Sequence, residues 1–200
     1  MNKINVNKFL IIALFLVLPL SSYGKTFEEE EDFVNKFAVE AITILSDETL
    51  NENDRNNEFT NLVMSSIDIN LISKFALSKS WKTATDEQKE AYINAFKKYF
   101  INSYANKLNQ YSGEKIIVSG SEEAGKYIIV NSNIVREGTD TLKISLKWRL
   151  LNKNGVIKII DLNIEGISLV IAQREEFQSF LANNDGSLDA LITKLISVSN

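Results

Sequence analysis

The chain contains no cysteine and no histidine, and only one proline in 200 residues. Without cysteine there is no disulfide and no thiolate nucleophile. Without histidine, the Ser–His and Cys–His catalytic pairs and the imidazole ligands of metal sites are excluded as well. The eight glycines stand singly, so no phosphate-binding or dinucleotide-binding glycine motif is present. We therefore predict no catalytic residue, no metal site and no cofactor.

An excess of positive charge is also lacking. The 22 basic and 26 acidic residues leave a net charge of −4. Nucleic-acid binding depends on neutralising phosphates with basic surface, so no nucleic-acid partner is expected. The acidic run Glu28–Asp32 suits the N-terminus of a helix, and we interpret it as a solvated face rather than a metal site.

The chain begins with a short hydrophobic run. Lys3 and Lys8 lie before and beside the apolar stretch Phe9–Leu20, and Ser22-Tyr23-Gly24 provides small residues for cleavage. About a dozen apolar residues is too short to span a bilayer, which needs about 20. We predict that residues 1–24 are a secretory signal peptide and that the mature protein, 25–200, is soluble in the periplasm.

Residues 25–112 have the periodicity of helices. Phe27–Leu45 carries an apolar helical stripe, and the polar stretch Leu50–Glu58 breaks the pattern before it resumes at Phe59. Asp68 is placed to cap a short helix. A Thr-x-x-Gln capping box at Thr85–Gln88 opens a long helix that ends near Tyr111.

From residue 114 the period of the pattern changes to two, which indicates strands. The third strand alternates most clearly, with apolar residues from Leu142 to Leu150 between polar ones. Four strands are predicted between residues 114 and 165, and two amphipathic helices follow in 167–198. This grouping predicts an α+β fold in which helices pack against a twisted antiparallel sheet of about four strands. The predicted strands are Lys115–Ser119, Lys126–Arg136, Thr141–Leu151 and Val156–Ile164.

Two blocks of the sequence resemble a known family. Residues 81–88 (WKTATDEQ) and the aromatic residues after them are similar to the W-x-x-A-T-x-x-Q segment of MlaC-type proteins, also called the toluene-tolerance Ttg2 family. Residues 148–177 resemble that family's W…G-x-W-K-I-x-D-x-x-x-E-G-x-S…R-x-x-F pattern, although Ile157 stands where the family has Trp. The resemblance extends from about Phe33 to Leu195.

This resemblance implies an NTF2-like fold with a helical subdomain and a deep apolar cavity that holds the acyl chains of a phospholipid. It also implies a non-enzymatic periplasmic carrier, expected to be a monomer, that maintains outer-membrane lipid asymmetry. The implied partners are an inner-membrane ABC transporter complex with MCE domains and an outer-membrane lipoprotein–porin complex. The residues that we expect to line the cavity are Phe75, Tyr92, Phe96, Tyr99, Phe100, Tyr104, Ile144, Leu146, Trp148, Ile164 and Val170.

Three charged residues lie where the last strand meets the next helix. We interpret Asp161, Glu165 and Arg174 as a structural junction held by an ion pair. The alternatives are an NTF2-like enzyme that uses Asp161 or Glu165 as a base, and an envelope adaptor or chaperone whose apolar face binds polypeptide. The aromatic stripe of the long helix also has the ordinary interpretation of core packing.

Overall fold

The computed structural model describes residues 27–108, 114–136 and 143–199, with side chains for all of these except 104–108. The predicted signal peptide lies outside these residues. Seven helices and five strands are described. The helices are α1 (Glu28–Ser46), α2 (Glu52–Ser66), α3 (Ile69–Leu77), α4 (Ser80–Thr83), α5 (Asp86–Leu108), α6 (Leu169–Ala182) and α7 (Leu188–Ser197). The strands are β1 (Glu114–Ala124), β2 (Tyr127–Arg136), β3 (Lys143–Lys153), β4 (Val156–Ile164) and β5 (Ile167–Ser168).

Local sequence signals mark where the helices begin. The predicted capping box is present, because the Gln88 amide N–H donates to Thr85 Oγ1 at 3.2 Å and Gln88 Oε1 accepts from the Thr85 amide at 3.2 Å. Asp68 caps α3 by accepting from the Leu71 amide at 2.9 Å. These side chains satisfy amide donors that have no partner within the first helical turn.

The predicted break after α1 is present but shorter than the polar stretch Leu50–Glu58, because only residues 47–51 are non-helical and the rest of the stretch is helical. The helical part forms the first two turns of α2, which starts after Asn51, a cap that accepts from the Asp54 amide at 3.0 Å. Further along α2, Phe59, Leu62 and Val63 are buried against α1. A cap and this downstream packing therefore outweigh the lack of an apolar stripe in residues 52–58.

The sheet is an antiparallel meander in the order β1-β2-β3-β4-β5, which confirms the predicted α+β fold. It has one strand more than expected, since β4 turns back at Glu165–Gly166 into the two-residue β5. Both turn residues have positive φ, 51° and 86°, as a two-residue type I′ hairpin requires. β1 also runs five residues further than predicted, to Ala124.

Helices cover the sheet and also pack against one another. The apolar face of the sheet forms one cluster with α1. A second cluster contains α3, α5, α6 and α7, and a smaller third one joins α1 and α2. Ile67, at the end of α2, touches all three clusters.

Candidate functional site

Burial of the apolar sheet face changes along the strands. The inward side chains form cross-strand rows, and the row Ile128–Leu150–Ile159 is fully buried. At the other end of the strands, the row Ile116–Ile134–Ile144 is only half-buried. We call this second set, together with Ile164 beside it, the isoleucine row. Its members are partly buried, as are Val118, Ile157 and Leu162 of the same apolar face.

Helix α1 covers the buried end of this face. Glu30 accepts a hydrogen bond from Asn152 Nδ2 at 2.9 Å, and Glu31 accepts one from Ser121 Oγ at 2.5 Å. The acidic run is therefore more than the solvated face that we expected, because two of its members attach α1 to the β-hairpin ends. Further along α1, the Phe37 ring meets Trp148 edge to face, with centroids 5.7 Å apart.

Two buried polar groups in the middle of this face bond to each other. Trp148 Nε1 donates to Ser132 Oγ at 2.8 Å, and both side chains are buried. Since a buried N–H without a partner is costly, this bond fixes the indole orientation. Trp148 and Leu146 are thus buried in the middle of the apolar face, while Ile144 and Ile164 belong to its half-buried end.

The aromatic residues of α5 lie elsewhere, in the helical cluster. Tyr92 and Phe96 are fully buried, and their rings pack with Phe177 of α6 at centroid distances of 6.3 and 6.0 Å. Tyr99 packs on the same ring at 6.1 Å. We expected this helix to line one cavity with the strands, but the structure places the two groups in different clusters. Phe100, half-buried, joins the helical cluster to that of α1 and α2.

Burial also determines the chemistry of Tyr92. Its hydroxyl donates to the carbonyl oxygen of Ser73 at 3.0 Å, within the helical cluster. Burial raises the pKa of Tyr92 far above its ordinary value, because the phenolate would lose its hydration. The group therefore remains a neutral donor that ties α5 to α3.

The remaining predicted contact residues are scattered. Val170 is buried in the helical cluster, whereas Phe75 on α3 is 42% exposed. The side chain of Tyr104 lies outside the described residues. Of the predicted residues whose side chains are described, Ile144, Leu146, Trp148 and Ile164 share the apolar sheet face.

Hydrogen bonds hold the strand-to-helix junction, in place of the ion pair we expected. Asp161 accepts from Ser168 Oγ at 2.7 Å and from the Val170 amide at 3.2 Å, and so fastens the start of α6. Glu165 accepts from the Ser145 amide. Arg174 pairs with neither of these two carboxylates. Its guanidinium group instead lies over the ring of Phe75, with the guanidinium carbon 5.1 Å from the ring centre.

Two surface clefts of the described residues lie away from the isoleucine row. One of about 510 Å³ lies between Phe27, Glu28, Glu123 and Lys126, and another of about 340 Å³ lies around Asp68 and Lys158. Across the part of the chain that the structure describes, no group of acidic side chains is arranged to hold a metal ion.

Several residues of the apolar face were missed at the level of sequence. Ile116, Ile134 and Leu162 belong to it, as do Phe33 and Phe37 of α1. Period-two alternation in β1 and β2 could have identified Ile116 and Ile134. The α1 residues carry only the signal of a helical stripe, which does not state what the helix faces.

The fold and this face define the class of protein: an α+β protein in which one face of an antiparallel meander is apolar and is covered by helix. A solved structure, that of the phospholipid-binding protein from Ralstonia solanacearum in complex with a phospholipid, has the same fold. The two superpose with a TM-score of 0.73 at 19% identity, over 84% of this chain and 96% of that chain. None of the described helices has the length and apolarity needed to cross a membrane.

The sequence comparisons identify the family. The model of the MlaC protein family matches residues 35–197, so the chain belongs to the MlaC family. The intermembrane phospholipid transport system binding protein MlaC of Haemophilus influenzae is 30% identical over 122 residues. That alignment covers 60% of this chain and 56% of the relative, so the chain spans little more than half the length of the relative that it matches.

Proposed function

We propose that this protein carries phospholipid through the periplasm, between complexes of the inner and outer membranes. The observation that carries the proposal is the half-buried isoleucine row at one end of a continuous apolar face. Membership of the MlaC family and the phospholipid named for its relatives support it. The acyl chains would lie against this row, and the headgroup would remain in water.

The energetics explain why a carrier is required. Two acyl chains of about 16 carbons, at about 0.8 kcal/mol per CH₂, amount to about 25 kcal/mol relative to water. A free phospholipid therefore does not cross an aqueous compartment at a useful rate. An apolar protein face gains little over a bilayer, so the direction of transport must come from the partners that load and unload the carrier. No catalytic group is needed in the carrier itself.

The cellular context completes the proposal. Residues 1–24 direct export and are cleaved, and residues 25–200 form the carrier. An inner-membrane ABC transporter with MCE domains and an outer-membrane lipoprotein–porin complex are the two partners, and their joint task is to maintain outer-membrane asymmetry.

The test is lipid extraction from exported protein purified without detergent, followed by mass spectrometry. We expect phospholipid at a defined stoichiometry. Ile144→Arg places a charge in the isoleucine row and should reduce the lipid content by at least about tenfold. Ser145→Arg is the matched control, because the adjacent side chain is exposed on the opposite face and should leave the lipid content unchanged.

Thermal unfolding of both variants separates loss of lipid from loss of folding. If folded Ile144→Arg protein retained its phospholipid, the acyl chains would not lie against the isoleucine row. If no phospholipid were extracted from the unmodified protein, lipid carriage itself would be refuted.

A further inference from the structure

An ion pair lies at the half-buried end of the apolar sheet face. Glu114 of β1 and Arg136 of β2 are cross-strand partners, and Ile116 and Ile134 are the next partners on the same face. Side chains two positions apart on a strand point to the same side of the sheet. The ion pair is therefore the row of side chains directly beyond the isoleucine row.

Hydrogen bonds hold these two charges in a defined place. Arg136 Nε donates to Glu114 Oε1 at 3.0 Å, and Arg136 Nη2 donates to the same oxygen. The Arg136 side chain is 46% exposed and the Glu114 side chain 18% exposed. Both charged groups are thus positioned by each other and remain accessible from the water at the end of the strands.

The neighbouring charges of the strands lie on the opposite face of the sheet. Val135 is the cross-strand partner of both Lys115 and Lys143, so these two lysines point away from the isoleucine row. Glu165 lies beyond β3, where it accepts from the Ser145 amide. Among the described strand residues, this end of the apolar face therefore carries one cation and one anion, Arg136 and Glu114.

A phospholipid that lies on the isoleucine row brings its own charges to this ion pair. Consecutive rows on one face of a sheet are about 7 Å apart, which is twice the rise per residue. Only the glycerol and ester groups separate the phosphate from the acyl chains, so the headgroup reaches the next row. A headgroup with a phosphate and an ammonium complements both Arg136 and Glu114. An anionic headgroup instead adds a second negative charge beside Glu114.

We propose that Glu114 and Arg136 receive the headgroup of the bound phospholipid and select a zwitterionic headgroup that carries an ammonium. Arg136 donates to the phosphate, and Glu114 accepts from the ammonium. The inference rests on the proposed carrier function, with the acyl chains against the isoleucine row. The selectivity is modest, because ion pairs that are open to water contribute little free energy.

The test is a competition between two headgroups for the same protein. Delipidated protein is incubated with vesicles that contain equal amounts of phosphatidylethanolamine and phosphatidylglycerol with identical acyl chains, and the bound lipid is identified by mass spectrometry. We expect about threefold more phosphatidylethanolamine than phosphatidylglycerol on the unmodified protein, the factor that one exposed ion pair provides. Glu114→Gln should abolish this preference. Arg136→Gln should lower the total bound phospholipid about threefold.

The matched control is Glu176→Gln, which removes one carboxylate from the exposed Glu176–Lys194 ion pair of α6 and α7 and should keep the threefold preference. Thermal unfolding shows whether each variant is folded. Equal amounts of the two lipids on the unmodified protein would overturn the proposal, and so would an unchanged preference in folded Glu114→Gln protein. Bound phospholipid without a headgroup preference would refute this inference alone. Absence of any bound phospholipid would refute carriage, and this inference with it.

Discussion

The packing of Phe177 offers a quantitative test of which apolar cluster is a protein core. This side chain is 1% exposed in the helical cluster and contacts the rings of Tyr92, Phe96 and Tyr99. We expected the rings of Tyr92, Phe96 and Tyr99 to line a lipid cavity. In the structure they pack directly against the ring of Phe177. We predict that Phe177→Ala destabilises the protein strongly and leaves its phospholipid content unchanged.

The magnitude follows from burial. Truncating a fully buried Phe to Ala costs about 3–5 kcal/mol, and the three ring contacts favour the upper part of that range. Phe180→Ala, on the same helix, is the matched control, because this ring is only half-buried beneath Lys194 and should cost about 1–1.5 kcal/mol. The expected difference between the two variants is therefore about 3 kcal/mol.

The assay is urea unfolding of delipidated protein, since bound lipid would itself stabilise the folded state. With a denaturant dependence of about 2 kcal/mol per molar urea, the midpoint for Phe177→Ala should lie about 1.5 M below that for Phe180→Ala. The slope should not change. Equal midpoints would refute the reasoning, and so would a loss of phospholipid in folded Phe177→Ala protein, because the rings would then line a lipid-filled space.

Two further predictions concern buried polar groups. Because Tyr92 stays protonated when folded while unfolded tyrosine ionises near pH 10.0, its contribution to stability is complete below that pH and is lost above it. In urea unfolding at pH 7, the free energy of unfolding of Tyr92→Phe should therefore be about 1 kcal/mol below that of the unmodified protein. This difference should narrow above about pH 10. A difference that stays constant with pH would contradict the reasoning. Asp161→Ala leaves Ser168 Oγ and the Val170 amide without their acceptor and should cost about 2–3 kcal/mol in the same assay. A loss below about 0.5 kcal/mol would show that the junction does not depend on this carboxylate.

Features that depend on neighbouring residues could be predicted from the sequence. The capping box at Thr85 and Gln88 sets the start of α5, and both partners lie within one turn. Strand β4 has the predicted limits, Val156–Ile164, because its alternation ends in turns on both sides. Asn154 and Gly155, with φ of 55° and 81°, form the tight turn before it.

Features that depend on distant residues could not be predicted in this way. Arg174 was paired with Asp161 or Glu165 because they are close in sequence, yet it lies over Phe75, which belongs to a helix almost a hundred positions earlier. Likewise, residues 52–58 have no apolar stripe, and their helical state depends on Asn51 and on the packing of Phe59 against α1. Such contacts follow from how the elements pack, which no local pattern records.

The sequence by itself determined the class of fold, the order of the elements and which face of each element is apolar. Only the tertiary structure decided that the rings of α5 pack with α6 and that the isoleucine row remains half-buried at one end of the sheet. The physical reason is that periodicity states which side of a helix or strand avoids water. It does not state which other element, or which ligand, covers that side.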